Sequence, residues 1–193
     1  MEIRHFVSKV FNNSNWYIRR AHIFEQPENW KLDGFEVPED VELIFPAKYS
    51  DYEQSIGSEL IPQEWRTQFK DRLNMNSHWL LIIRVEQELA YFSWVASESE
   101  YDDYMKFDSH SYSSNPYLFH CYTIKKHRGR GLHYLATTFL MKHFSSEGKK
   151  LWGIVYSSNS TAQYVWKKAG LEVKSLIVSF GINNVNKKFI VSH

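Results

Sequence analysis

The stretch TIKKHRGRGLHYLATTFL, residues 123–140, joins two different kinds of sequence. Its first half brings four Lys or Arg side chains and two glycines together within residues 125–131. Its second half is apolar at helical spacing. The residues of that apolar face are Leu132, Leu135, Ala136, Phe139 and Leu140. The stretch therefore predicts a basic glycine loop that leads directly into an amphipathic helix.

Such a loop is suited to hold one small anion. Gly129 and Gly131 allow the backbone to turn and to approach a ligand without a Cβ in the way. The first turn of the following helix offers free N–H groups and the positive end of the helix dipole. Arg128 and Arg130 add charge at the same place. The loop therefore predicts a phosphate or pyrophosphate site, although its spacing matches neither the GxxxxGKS/T loop nor the three-glycine dinucleotide fingerprint.

The length and net charge of the chain limit the class of molecule that could carry this anionic group. The chain has 193 residues, enough for one domain with a sizeable core, and a formal net charge of +1 at pH 7. Proteins that bind nucleic acid by counterion release carry a much larger basic excess, so no nucleic-acid partner is expected. The longest apolar runs, such as WLLII, are too short to span a bilayer.

Cysteine usage and the N-terminus favour the cytoplasm. Cys121 is the only cysteine, which excludes an internal disulfide framework. The first residues lack the apolar region and cleavage site of a signal peptide. No Cys/His spacing typical of a metal site occurs, so no metal is expected. Aromatic residues make up 17% of the chain, which indicates either a ring-rich core or a ring-lined pocket.

The order of predicted elements indicates an α/β layer fold with a mixed sheet. Residues 1–50 are predicted to be irregular, with strand-like pieces such as HFVSKVF and VELIFP. The next predicted elements are a helix at 61–73, two strands around a tight turn at 78–97, a surface loop at 98–116 and a strand at 117–124. After the basic loop come a helix from 132, a strand at 150–157, a helix between Asn159 and Gly170, and a hairpin of 173–182 and 187–192.

A second motif, NSTAQYVWKKAGL at residues 159–171, identifies a family when it is combined with the loop. The GCN5-related N-acetyltransferase (GNAT) family carries an R/Q-x-x-G-x-G/A loop after its fourth strand and an N-x-x-A-x-x-x-Y-x-x-x-G-F helix. The loop residues that match here are Arg128, Gly131 and His133. The matching helix residues are Asn159, Ala162, Trp166, Gly170 and Leu171. The chain resembles this family over roughly residues 117–190.

The resemblance implies a fold and an activity. The fold is α/β, with a mixed, mostly antiparallel central sheet splayed between its fourth and fifth strands and helices on both faces. Residues 1–193 form a single domain, in which 1–116 supply acceptor-side elements and 117–193 the acyl-CoA-binding core. The implied enzyme moves an acetyl or other short acyl group from acyl-CoA directly to an amine. The alternative is a non-catalytic acyl-CoA sensor or interaction module on the same fold.

The acceptor and the assembly stay open at this point. An amino sugar, an amino acid, a polyamine and a protein amine are all compatible with the resemblance. The protein is expected to be a monomer or a homodimer. We expect the acceptor pocket to be bordered by the loop at 98–116 and by aromatic side chains of the 78–97 hairpin. Those aromatic residues are Trp79, Tyr91, Phe92 and Trp94.

The resemblance also implies which residues hold the coenzyme. The backbone amides that cradle its pyrophosphate belong to Gly129, Arg130, Gly131, Leu132 and His133, with Arg128 beside them. Backbone groups of Cys121, Tyr122 and Thr123 pair with the pantetheine arm and polarise the thioester carbonyl. Asn159 lines the wedge near that arm, caps its helix, or does both.

Two departures from the family pattern matter for the chemistry. His133 stands at a glycine or alanine position, where a protonated imidazole could contact the phosphate. Trp166 stands at the position of the tyrosine that protonates the leaving thiolate, and an indole N–H only donates a hydrogen bond. Direct attack does not require a phenol at this position, because water can protonate the thiolate.

The candidate catalytic residues are Tyr117 and His120, of which His120 titrates in the range needed to accept the amine's proton. A water relay is the alternative. Strand alternation predicts one face made of Tyr117, Phe119, Cys121 and Thr123, and an opposite face made of Leu118, His120 and Tyr122. Cys121 therefore points away from His120, and no covalent acyl-enzyme is predicted.

Overall fold

A central sheet organises the computed structural model, which describes residues 16–32, 34–55, 57–97, 100–182 and 185–192. In chain order the strands are β1 (Trp16–Glu25), β2 (Val41–Ala47), β3 (His78–Val85), β4 (Glu88–Ala96), β5 (Tyr101–Asp102), β6 (Phe107–Asp108), β7 (Tyr117–Thr123), β8 (Trp152–Tyr156), β9 (Glu172–Ile182) and β10 (Val185–Ser192). Within these ranges β5 and β6 form a separate ribbon, and the other eight strands lie in the order β10-β9-β1-β8-β7-β4-β3-β2.

Helices cover both faces of the sheet. They are α1 (Tyr49–Glu53), α2 (Gln63–Leu73), α3 (Leu132–Ser146) and α4 (Ser160–Ala169). Neighbouring side chains of β3 point to opposite faces of the sheet. Leu80 packs in one hydrophobic cluster with Phe69 of α2, and Leu81 packs in another with Phe144 of α3. The predicted helices at 61–73, from 132 and from 159 are confirmed.

The strand pairing is mixed but mostly antiparallel, as predicted. The exception is β7 with β8, the fourth and fifth strands of the family pattern, which pair in parallel through Tyr117–Trp152 and Leu118–Gly153. Beyond Leu118, the residues of β7 that pair with another strand pair with β4 and not with β8. The ladder between β7 and β8 is thus two residue pairs long, and the splay of these strands stays a prediction.

Strand β1 is the largest difference from the sequence prediction. Residues 1–50 are predicted to be irregular, whereas Trp16–Glu25 forms a strand that pairs with β8 on one side and β9 on the other. Its residues Ala21, Ile23 and Phe24 are fully buried. The run is rich in aromatic and β-branched residues, but Arg19 and Arg20 interrupt its apolar pattern. Of the strand-like pieces, VELIFP falls in β2 and HFVSKVF lies outside the described residues.

The predicted surface loop at 98–116 contains the β5–β6 ribbon and buried side chains. Met105 and Phe107 are fully buried in a cluster with Trp152 of β8 and Ile177 of β9. The prediction of a plain loop is therefore wrong for residues 101–108, because two apolar residues cover this part of the sheet. Across the described ranges, no helix has both the length and the apolarity needed to cross a membrane.

Candidate active site

A cleft of about 1130 Å³ is lined by residues of β7 and β8, beyond the two residue pairs that join these strands. One wall is made of the basic loop, the first turn of α3 and the side of α4. The opposite wall is made of α2 and residues 100–104, and β7 forms the floor between them. The predicted coenzyme residues that line the cleft are Cys121, Tyr122, Thr123, Arg128, Gly129, Gly131, Leu132, His133 and Asn159. Arg130 is not among the lining residues; its guanidinium forms an ion pair with Asp40.

The basic loop has the backbone geometry of an anion site. Gly129 and Gly131 have φ values of 82° and 74°, in the left-handed region that favours glycine. Gly131 is the N-cap of α3 and supplies no side-chain cap, and Leu135 is the first residue to bond back to it, N–H to carbonyl, at 2.9 Å. The N–H groups in the first turn of α3, before Leu135, are therefore available to a ligand.

Arg128 connects the loop to the end of β7. Its Nε donates to the carbonyl of Thr123 at 3.3 Å, and its guanidinium lies 5.9 Å from the ring centroid of Tyr122. The side chain is exposed and lines the cleft. Arg128 thus places a positive charge at the mouth of the cleft, beside the uncapped turn.

Asn159 begins α4 as a helix cap. Its Oδ1 accepts from the N–H of Ala162 at 3.1 Å, which satisfies one of the free donors of that helix. Gly170 ends the helix in the left-handed conformation, with φ of 96°. Asn159 also lines the cleft, so it is both a helix cap and a cleft residue.

His133 and Trp166 contact each other. The indole Nε1 of Trp166 donates to Nε2 of His133 at 2.9 Å. Because an indole N–H only donates, Nε2 is the acceptor and the ring proton of His133 is on Nδ1. Burial lowers the pKa of His133 to about 4. His133 is therefore neutral at pH 7, and the expectation of a protonated imidazole at the phosphate is wrong because this ring is largely removed from water.

Trp166 packs against the paired part of β7 and β8. It is buried, and its ring packs edge-on against Phe24 with 5.6 Å between centroids. A Cβ added to Gly153 of β8 would overlap both the indole of Trp166 and the carbonyl of Leu118. The absence of a side chain at Gly153 therefore allows the Trp166 ring to pack directly on the β8 backbone. In a sequence, a glycine inside a predicted strand is the feature that indicates such a close contact.

A β-bulge interrupts β7 at its centre. Phe119 pairs with Trp94 and Tyr122 with Phe92, so Ser93 of β4 alone lies opposite His120 and Cys121. His120 has φ of +47°, which is uncommon for a residue with a side chain.

The bulge overturns the strict alternation predicted for residues 117–124. Cys121 packs in the α3-side cluster with Leu118. The rings of His120 and Tyr122 lie 5.6 and 5.2 Å from that of Trp65 of α2, measured between centroids. The extra residue at the bulge shifts the later side chains by one position, yet His120 and Cys121 still lie on opposite faces.

His120 belongs to a chain of polar contacts on the α2 wall. Its Nδ1 lies 2.9 Å from Nη1 of Arg72, whose Nη2 donates to Oε1 of Glu100 at 2.7 Å. The other Glu100 oxygen lies 3.1 Å from Nε2 of His78. Burial would raise the pKa of Glu100, but hydrogen bonding by His78 and the charge of Arg72 hold it below its ordinary value. Burial and the Arg72 cation lower the pKa of His120.

Tyr117 and Cys121 are both held in their protonated forms. Tyr117 is buried, stacks on Phe119 at 5.5 Å and contacts Trp152 at 4.7 Å between centroids. Burial raises the pKa of its hydroxyl well above the ordinary value. Burial also raises the pKa of the Cys121 thiol to about 12. A thiol of this kind supplies no thiolate nucleophile at pH 7.

The aromatic residues of the β3–β4 hairpin are core residues. Tyr91, Phe92 and Trp94 are fully buried, and Trp79 packs on Phe144 with 5.9 Å between centroids. None of the four lines the cleft, so the prediction that they border the pocket is wrong. Strand β4 is central and covered on both faces, which is why its rings fill the core. From the 98–116 segment, residues 100–104 do line the cleft, and their place at an acceptor pocket stays a prediction.

Arg72, Glu100 and Tyr156 were missed by sequence reasoning. Arg72 comes from α2, Glu100 from the segment after β4, and Tyr156 from β8. The Tyr156 hydroxyl donates to Oδ2 of Asp102 at 2.7 Å, within the same cleft. These residues lie far apart in sequence and share no motif, so only the folded chain brings them together.

Comparison with solved structures places this geometry among known folds. No protein-family model matches the sequence, and no curated protein matches it. A structure described as an acetyltransferase from the GNAT family from Colwellia psychrerythraea is 18% identical with a TM-score of 0.54, and the match covers 91% of this chain and 60% of that chain. The aminoglycoside acetyltransferase meta-AAC0020, from an uncultured soil metagenomic sample and in complex with trehalose, is 13% identical with a TM-score of 0.50, over 70% of this chain and 90% of that one.

A third structure is AAC(6')-Iy in complex with the bisubstrate analog CoA-S-monomethyl-acetylneamine. It is 14% identical with a TM-score of 0.51, and the match covers 68% of this chain and 90% of that chain. The present chain spans only 60% of the length of the Colwellia protein. At these identities the similarity concerns the fold, which agrees with the strand pairing, the basic loop and the two helices of the motif. The chain has the GNAT fold.

Proposed function

We propose that this chain is an N-acyltransferase that transfers an acetyl or other short acyl group from acyl-CoA to an amine. The observation that carries the proposal is the uncapped first turn of α3, which opens onto a cleft that continues along the part of β7 without a β8 partner. Phosphate groups bind at such a turn, and an extended arm can pair with such a strand. Residues 1–193 act as one domain in this proposal, and the single cysteine favours the cytoplasm.

The residues on the coenzyme wall fit acyl-CoA. Backbone N–H groups of residues 129–133 hold the pyrophosphate, and the Arg128 guanidinium lies at the mouth beside them. Backbone groups of Cys121–Thr123 pair with the pantetheine arm in the space between β7 and β8. The volume of about 1130 Å³ is sufficient, since pockets for drug-sized ligands measure roughly 300–1,000 Å³.

When bound, acyl-CoA supplies an acyl group activated as a thioester. The chain's own contribution is orientation and stabilisation of charge, with a β7 backbone N–H directed at the oxygen that becomes negative. The amine nitrogen bonds to the carbonyl carbon, the carbon–sulfur bond breaks, and the amine's proton leaves to solvent. The thiolate takes a proton from water, because the Trp166 N–H is bonded to His133.

Tyr117 and His120, the candidate catalytic residues from the sequence, have positioning roles in this proposal. Tyr117 orients the floor of the cleft through its stack on Phe119. His120 lies on the acceptor wall with Arg72 on one ring nitrogen. The acceptor proposed is a small-molecule amine, which the aminoglycoside acetyltransferase among the similar folds supports.

A non-catalytic acyl-CoA sensor is the second candidate. The observation that favours it is the absence of a phenol at the position of Trp166, whose only polar group is already bonded to His133. Both candidates bind acyl-CoA, and they differ in turnover. Incubation with acetyl-CoA and a panel of amines tests this, because only an acyltransferase releases free coenzyme thiol in an amine-dependent way.

A further inference from the structure

His120 is held in one tautomer by its neighbour. Its Nδ1 lies 2.9 Å from Nη1 of Arg72, and a guanidinium group has only donors. Nδ1 is therefore the acceptor, and the proton of the neutral ring is on Nε2. Among the described residues, Nε2 has no hydrogen-bond partner, while the residue itself is exposed and lines the cleft.

Arg72 is fixed in this position by its own contacts. Glu100 accepts from its Nη2 at 2.7 Å and is held in turn by His78 at 3.1 Å. The guanidinium also lies 4.9 Å from the ring centroid of Phe119. A rigid cation on Nδ1 disfavours protonation of His120, so this ring does not serve as the base that takes the amine's proton. The charged groups that face the ring are Arg72 of α2, and Glu100 and Asp102 of the segment after β4.

The backbone conformation of His120 also points to a functional role for this residue. Its φ of +47° is a strained conformation for a residue with a Cβ, and it arises at the bulge opposite Ser93. Strain of this kind persists where the surrounding structure fixes it, and it clusters at binding and catalytic positions. Here it directs the ring to the α2 wall of the cleft.

We propose that the Nε2–H of His120 donates a hydrogen bond to an oxygen of the acceptor, so that the acceptor is an amine with a hydroxyl, carbonyl or carboxylate oxygen close to its nitrogen. Amino sugars and amino acids have such an oxygen, and simple polyamines do not. This inference rests on the proposed N-acyltransferase function and names the substrate class of the same cleft.

Three carboxylates lie on the same wall of the cleft. Glu100 is bonded to Arg72 at 2.7 Å. Asp102 accepts from the Tyr156 hydroxyl at 2.7 Å, and Asp103 is paired with Lys106 at 3.2 Å. On the described part of this wall, only Glu100 has a part-buried cationic partner, and Asp102 lies beside a neutral hydroxyl, so a spermidine arm is needed in the test to compare a polycation with an oxygen-bearing amine.

Matched pairs of amines test the proposal on the full-length chain. Each pair differs by the exchange of a hydroxyl for a methyl group, as in 2-aminoethanol against propylamine, and spermidine is included as the polyamine. The measurement is the ratio of kcat/KM within a pair, compared between variants so that the intrinsic basicity of the amines cancels. His120→Ala should lower the preference for the hydroxyl amine about tenfold relative to the wild type, the effect of one hydrogen bond.

Two further variants serve as controls. His120→Gln keeps an N–H donor and should retain part of the preference. His110→Gln, at an exposed histidine outside the cleft lining, should leave it unchanged. The inference is overturned if His120→Ala leaves the ratio as it is, if spermidine is the preferred acceptor, or if His120→Gln removes an ionisation from the pH–rate profile, since the last result identifies a base.

The tautomer itself gives a readout that does not depend on turnover. Nitrogen-15 shifts of the His120 ring in labelled protein should show a protonated Nε2 and an unprotonated Nδ1. The opposite tautomer would overturn the inference even in an active enzyme. If no amine releases thiol from acyl-CoA, the proposed function fails and the inference with it, whereas equal rates within each pair remove the inference alone.

Discussion

The indole N–H of Trp166 donates a hydrogen bond to Nε2 of His133 across 2.9 Å. The sequence differs from the GNAT motifs at both of these positions, and the two side chains are each other's partners. A glycine at the His133 position offers no side chain to accept this bond. The two residues thus form one part-buried pair that joins α4 to the first turn of α3, with an indole at the position where the motif has a phenol.

We expect Trp166→Phe to lower the free energy of unfolding by about 1–3 kcal/mol. The substitution removes the bond to His133 and part of the ring that packs on Phe24. Chemical denaturation measures the effect, with Tyr164→Phe, at 67% exposure on the same helix, as the control. The rate per folded molecule should change less than the stability does. A tenfold rise in kcat for Trp166→Tyr, about 1.4 kcal/mol, would instead show that the missing phenol limits the reaction.

The neutral state of His133 predicts a pH dependence of stability. Burial lowers the pKa of His133 to about 4 from an ordinary value of 6.5. Between these values the unfolded chain binds a proton that the folded protein does not. Neutral His133 therefore contributes to the free energy of unfolding above about pH 6.5. This contribution decreases as the pH falls towards 4, by up to roughly 1.4 kcal/mol per pH unit.

Comparison with His133→Gln isolates this effect. Glutamine can still accept from the indole but does not titrate, so its unfolding free energy should fall less steeply between pH 6.5 and 4 than that of the wild type. Denaturant titrations across this range measure both slopes. Equal slopes would mean that His133 does not carry the lowered pKa.

The loop glycines predict a loss of coenzyme affinity that can be separated from a loss of stability. Gly131→Val forces a β-branched residue to φ of 74°, which distorts the turn proposed to hold the phosphates. Gly148→Val is the matched control, because Gly148 has φ of 71°, an added Cβ also meets nothing within 4 Å, and it lies outside the cleft lining. Both variants should lose similar stability, whereas calorimetry should show at least a tenfold weaker affinity for CoA in Gly131→Val alone. Equal affinities in the two variants would remove the site from this loop.

The two arginines of the loop should behave differently. Arg128 lines the cleft, so Arg128→Ala is expected to cost about 1–2 kcal/mol of CoA affinity, the scale of a charge-assisted hydrogen bond. Arg130 is paired with Asp40 away from the cleft, so Arg130→Ala should cost much less. Calorimetry at one ionic strength compares them. Equal losses would show that the coenzyme draws Arg130 away from Asp40.

Local sequence patterns predicted the elements that build the wall of the cleft proposed to hold the coenzyme. The basic loop, α3, and α4 with its Asn159 and Gly170 boundaries follow from short-range rules on caps, glycines and periodicity. The paired strands at 78–97 follow from an apolar run that is interrupted by a turn. Each of these features is determined by residues close together in the chain, which is why spacing alone reveals it.

The opposite wall of the cleft, made of α2 and residues 100–104, could not be predicted in the same way. The bulge at His120 depends on pairing with β4, and a one-residue shift of register is invisible in the sequence of β7. The contact of Arg72 with Glu100 joins residues from α2 and from the segment after β4. Strand β1 lies between β8 and β9 although more than a hundred residues separate it from either. These are long-range outcomes of packing, and no motif encodes them.

Cys121 predicts that the transfer is direct. Burial raises the pKa of its thiol to about 12, and His120 lies on the opposite face of β7. Cys121→Ser should therefore keep most of the activity, and initial-rate plots that vary both substrates should intersect. Parallel lines, together with an acyl adduct on Cys121 trapped without acceptor, would show a covalent route.

The release of free coenzyme thiol from acetyl-CoA, measured with and without an amine, tests the central claim most directly. The proposed function predicts amine-dependent release by the wild type, retained in Gly148→Val and strongly reduced in Gly131→Val. Binding of acetyl-CoA without thiol release for any amine in the panel would contradict catalysis and leave a sensor. Failure to bind acetyl-CoA at all would contradict both.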